Sequence, residues 1–153
     1  DENAALSALD LAHESGKAAE IFEQSIHAMG GQVDILGSFD KSRAKAPVVK
    51  PVYPRVEWMG KTVSHMDTRK LGMAVVALGG GRTFSGQAID HAVGCADWIR
   101  PGEVCEPDQP IAFIHARNEA GYEVASKRIL EAIEVGVSPA FAALSPIIKN
   151  FKV

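Results

Sequence analysis

The sequence predicts an α+β protein, and three observations carry that expectation. Apolar residues recur at helical spacing over residues 1–30, short β-forming runs bounded by Pro and Gly follow, and a second helical pattern begins near Asn118. With 153 residues, 46% of them hydrophobic and 23% charged, the chain is long enough for one ordinary domain, or for one domain carrying a helical arm.

The arm is read first. Leu6, Leu9 and Ala12 lead across Gly16 to Ala19, Phe22, Ile26 and Met29, close to a 3.6-residue repeat. Asp1 or Asn3 is a capping candidate, Gly16 splits or kinks the helix, and Gly30–Gly31 stops it. Residues 31–46, with Gly37, Ser38, Asp40 and Ser42 before Pro47, have loop composition. Val48, Val49 and Val52 supply β-formers, and Pro51 and Pro54 restrict them to an edge. Arg55–His65 reads as a hairpin turning at Gly60–Lys61. Asp67 or Thr68 caps a helix over 69–78 whose apolar face uses Leu71, Ala74, Val75 and Leu78, and Gly79–Gly80–Gly81 ends it. Strands are expected at Ala92–Ala96, Trp98–Ile99 and Pro110–His115, with Pro107–Gln109 as a turn. The last helix is expected from about Glu119 to Val137, with Tyr122, Ala125, Ile129, Ala132 and Ile133 inward, ended by Ser138–Pro139. Ser145–Val153 reads as an extended apolar-basic tail.

Charge is divided unevenly. Residues 41–70 carry eight Lys/Arg against two Asp/Glu, whereas residues 1–40 carry one against eight, within a net charge of −3. Stacking aromatics in the basic stretch are limited to Tyr53 and Trp58, so nucleic acid is not an expected partner. The longest strongly apolar stretch, Met73–Leu78, is far below a membrane span. Two cysteines, Cys95 and Cys105, make no disulfide framework, and without a leader-like segment a cytoplasmic location is expected. The opening on Asp1 inside a helical pattern suggests a truncated chain.

Few chemical motifs stand out. Gly79–Gly86 lacks the Gly-Lys-Ser/Thr ending of a nucleotide loop, and it follows a helix, whose carbonyl end is the wrong pole for an anion. Gly80, Gly81, Arg82, Thr83 and Ser85 are nevertheless candidates for a substrate-cleft loop, with a flap and a plain connection as the two readings. His13, His27, His65, His91 and His115 form no metal-spaced pair, so no metal is expected. His65 near Asp67, or Asp90 beside His91, does not make a hydrolytic triad without a nucleophile elbow. Trp58, Trp98 and Phe113 read as core anchors.

The run Met66–Arg82 (MDTRKLGMAVVALGGGR), with Gly16–Phe22, Ile89–Gly94 and Pro110–Ala116, resembles the thymidine phosphorylase and pyrimidine nucleoside phosphorylase family. The blocks stand in the family's order across nearly the whole chain. The resemblance implies a pentosyltransferase of pyrimidine salvage. In the intact homodimer it would convert thymidine and phosphate to thymine and 2-deoxyribose 1-phosphate, without a cofactor. It also implies that residues 1–46 are a helical arm and linker of a larger α/β lobe, and 47–153 a C-terminal α/β-hammerhead-like domain. Hammerhead strands resemble biotinyl and lipoyl carriers, yet Glu106–Gln109 offers no lysine at the hairpin tip, so a carrier role is not expected.

Family members are much longer. Their phosphate-binding Lys/Ser/Thr loop and base-recognising Arg, Ser and Lys lie in the N-terminal part, which has no counterpart here. No catalytic residue carries over, and the chain by itself is expected to be inactive. What carries over is Arg82 in the glycine loop, near the family's interdomain cleft; Thr83–Ser85 depart from many members. Broad pyrimidine specificity and a non-catalytic interaction module are the alternatives.

Overall fold

Helix α1 (Glu2–Glu14) starts where Asp1 accepts a hydrogen bond from the Ala4 amide at 2.8 Å, a side-chain cap set three residues ahead. Gly16 adopts φ +73° and separates α1 from α2 (Lys17–Ala28), after which Gly30 at φ +82° turns the chain away. The computed structural model describes residues 1–32 and 34–136. Their contacts divide the chain into two units, one over Asp1–Arg43 and one from Ala44 onward.

The first unit differs from expectation at one element. Residues 31–46 are not all loop: α3 spans Ile35–Ser42. Asp34, its N-cap residue, makes no side-chain capping bond; the cap comes instead from Glu23 on α2, which accepts from the Leu36 amide at 3.2 Å. No described residue of this unit is buried: Leu9 and Met29 are exposed, and Ile26 and Ile35 are half-buried.

In the second unit, β1 (Val48–Val52), β3 (Gly94–Ala96) and β4 (Ala112–Ala116) form an antiparallel sheet in the order β1-β4-β3. Pro51 is tolerated in β1 because that strand has a neighbour on one side only. Strand β4 is central and alternates: Ala112, Ile114 and Ala116 are fully buried, while Phe113 and His115 are half-buried. A second sheet pairs β2 (Thr62–Met66) with β5 (Ile133–Gly136).

Helices α4 (Thr68–Leu78) and α5 (Glu119–Glu131) pack on each other and on the core. Asp67 and Asn118 cap them, accepting from the Lys70 and Gly121 amides at 3.0 and 2.8 Å. Ala74, Ala125 and Ile129 reach the core of Val52, Trp58, Val63, Ile99, Cys105, Ile111 and Ile114. Trp58 is buried, and Trp98 packs partly buried at the margin.

Three expectations are corrected. Arg55–His65 is not a hairpin: Val56–Trp58 forms a 3-10 turn, and β2 pairs with β5 instead. Longer-range bonds hold this segment, with the Gly60 amide donating to the Cys105 carbonyl at 3.0 Å and the Cys105 amide to the Lys61 carbonyl at 2.9 Å. The last helix ends at Glu131 rather than near Val137, because Ile133–Gly136 joins β2 and the Ala132 carbonyl accepts from the Asp67 amide at 2.8 Å. Pairing of β-branched residues overrides the continuing helical pattern. Trp98–Ile99 and Pro110–Ile111 lie outside the named strands, linked by the Ile99 amide donating to the Ile111 carbonyl at 2.9 Å. The Ser138–Pro139 stop and the Ser145–Val153 tail lie outside the described residues.

Candidate functional site

The glycine triplet terminates α4 in a specific way. Gly79 sits at φ +96°, its amide donating to the Val76 carbonyl and the Gly80 amide to the Val75 carbonyl, each at 3.0 Å. A Cβ on Gly80 would lie 2.8 Å from Val75 Cγ1, and one on Gly81 2.6 Å from Val76 Cγ2. Three glycines are therefore required by one left-handed cap and two close returns over the last helical turn. The carbonyl pole of α4 faces them, so the triplet is not an anion cradle.

Beyond the triplet the loop closes on itself. Arg82 Nε donates to the Gln87 carbonyl at 2.9 Å, and the Thr83 amide and hydroxyl both donate to Gln87 Oε1, at 2.7 and 2.8 Å. Phe84, Ser85 and Gly86 stand at the exposed tip. The Gly79 carbonyl accepts from the Asp90 amide at 2.9 Å, so the two ends of the loop meet. Of the five sequence candidates, Arg82 and Thr83 converge on Gln87, Gly80 and Gly81 pack on α4, and Ser85 stands apart at the tip.

At the base of the loop, a groove of about 520 Å³ is lined by Leu78, Gly79, Ile89, Asp90, His91 and Arg117. Asp90 dominates its electrostatics. Arg117 donates to the carboxylate through Nε and through Nη2, the latter at 2.7 Å, and the Ala92 amide donates to Oδ1 at 3.0 Å. The guanidinium first, then the amide, hold the Asp90 carboxyl below its ordinary range, and the same pairing raises Arg117. Asp90 is thus an ion-pair partner rather than an orienting acid for His91. Asp67 is likewise engaged in capping α4 and does not serve His65.

Sequence reading missed Arg117 altogether, since its partner lies 27 residues upstream. Its position beside the capping residue Asn118, just after a strand, was the available signal. Among the described residues there is no group of three or more metal-ligating side chains, and no helix is long and apolar enough to cross a membrane.

Residues 62–136 match the model of the pyrimidine nucleoside phosphorylase C-terminal domain. This segment is similar to that family's C-terminal domain. The match opens on the first residue of β2 and closes on the last of β5, and those two residues, Thr62 and Gly136, are partners across the strand pair. The pyrimidine nucleoside phosphorylase domain is therefore a segment whose ends are tied together, enclosing α4, the glycine loop, β3, β4 and α5. The expectation of the family's C-terminal portion holds.

Proposed function

We infer that this chain serves as the C-terminal part of a thymidine phosphorylase, which transfers the 2-deoxyribosyl group of thymidine to phosphate. The observation that carries this reading is the family match across the whole β2–β5 unit, with the Met66–Arg82 run in its opening part. The reaction requires phosphate and nucleoside to be held together, with donors facing the negative charge that develops on the departing base. Here Arg117 is committed to Asp90, and Arg82 spends its Nε on the Gln87 carbonyl. The role that fits is a rigid wall with the 79–90 loop at the edge of a cleft, the clamp coming from an N-terminal part of the same homodimeric enzyme. The family's description covers pyrimidine nucleosides at large, and this favours uridine as a second substrate of the intact enzyme.

An assay of base release tests the reading. Purified 153-residue chain with thymidine and phosphate is expected to release no thymine, whereas the chain joined to an upstream phosphorylase segment is expected to do so. Turnover by the chain alone, with contaminating enzyme excluded by intact mass, would overturn the division of labour. Comparing thymidine with uridine in the joined protein separates narrow from broad specificity.

A further inference from the structure

The start of α4 and the end of α5 enclose a groove of about 790 Å³ lined by Asp67, Arg69, Lys70, Met73, Val124, Lys127, Arg128 and Glu131. Four cations face two carboxylates there. Asp67 is already engaged, capping the Lys70 amide at 3.0 Å and lying 3.6 Å from its ammonium. Among the described residues, Arg69, Lys127 and Arg128 make no ion pair. Between the cations lie Met73 and Val124, 45% and 49% exposed, an unusual pairing of apolar surface with unneutralised charge.

We propose that this groove binds a nucleoside polyphosphate, the phosphates on Arg69, Lys127 and Arg128 and the base against Met73 and Val124. Each half of the groove suits one half of that ligand. Guanidinium forks match phosphate oxygens, and a thioether beside a β-branched side chain gives a soft apolar surface for a flat ring. The volume lies in the range of small-molecule pockets. The site shares no lining residue with the groove at Asp90 and Arg117.

Backbone amide shifts of the purified chain, followed by NMR at low salt, test the proposal with three probes added separately: dTTP, inorganic tripolyphosphate and thymidine. The expected result is saturable movement of amides in 68–73 and 124–131 with dTTP, weaker movement of the same amides with tripolyphosphate, and no saturation with thymidine. Charge reversal in a K127E/R128E variant is expected to weaken dTTP binding by roughly tenfold or more, and added salt to weaken it in the parent. R69E on the facing helix should act in the same direction, and all three side chains are exposed, so both variants should keep the parent's circular dichroism. Absence of saturable shifts, shifts confined to other elements, or unchanged affinity in both variants would overturn the proposal. Tripolyphosphate binding as tightly as dTTP would overturn it too, leaving a charge patch without a base subsite.

Discussion

Asp90 joins three segments through single atoms: its amide reaches Gly79, one carboxylate oxygen reaches Ala92, and both oxygens take Arg117. Because folding lowers this carboxyl's pKa, the unfolded chain binds more protons in acid. The stabilisation is complete above the ordinary aspartate value, about 3.9, and is lost as pH falls through the folded value. Asp67, lowered chiefly by the Lys70 amide, acts in the same direction. Thermal melts of the parent should therefore shift down as the solution is acidified below that value. Asp90→Asn should lower the melting temperature at neutral pH and flatten part of the acid dependence; an unchanged acid profile would remove the pair from the account. The cysteines give a second residue-scale test. Burial pushes the Cys95 thiol up to about 11 and raises Cys105, which has no exposed surface. Thiolate is the reactive form, so both should alkylate far more slowly with iodoacetamide in the native chain than in denaturant. Native-state labelling at the denatured rate would contradict the packing.

At the scale of elements, helix ends carry the testable chemistry. Gly79→Ala places a side chain at a left-handed position and should cost about 1–2 kcal/mol. Gly81→Ala should also destabilise, since its Cβ meets Val76 at 2.6 Å, whereas Gly94 has open space and should accept Ala without loss. Urea midpoints of the three variants give the order, and equal midpoints would deny the triplet its packing role. Asn118→Ala removes the cap of α5 and should cost about 1 kcal/mol in the same measurement. Capping of this kind was legible, because the acceptor and its amide lie three residues apart at Asp1, Asp67 and Asn118. The cap of α3 was not legible: Glu23 stands 13 residues from Leu36, and the local composition of Gly37 and Ser38 suggests a loop. The glycine loop itself was legible as a feature. Its closure on Gln87 was not, since nothing in the spacing selects that acceptor over solvent.

For the whole molecule, the two units predict different responses to mutation. Ile114 and Ile129 are fully buried in the second unit, and truncating either to Ala should cost about 2–5 kcal/mol. Leu6 in the first unit is 52% exposed, and Leu6→Ala should change the main unfolding transition by no more than about 0.5 kcal/mol. Chemical denaturation followed by tryptophan fluorescence reports the transition directly, because both tryptophans, Trp58 and Trp98, belong to the second unit. A large effect of Leu6→Ala would show that the first unit shares the core's cooperativity. The sequence by itself determined the α+β class, the ends of α1, α2 and α4, the start of α5, and the family whose C-terminal model residues 62–136 match. Each of these rests on hydrogen bonds or motifs spanning a few consecutive residues. Only the tertiary structure decided that β2 takes β5 as its partner, that α5 stops at Glu131, and that Arg117 neutralises Asp90. Those pairings join residues 27 to about 70 positions apart, and loop closure costs so little more with added length that local sequence cannot choose among partners. The choice falls to the shared core, where burying Val63, Ile129 and Ile133 together leaves β5 beside β2.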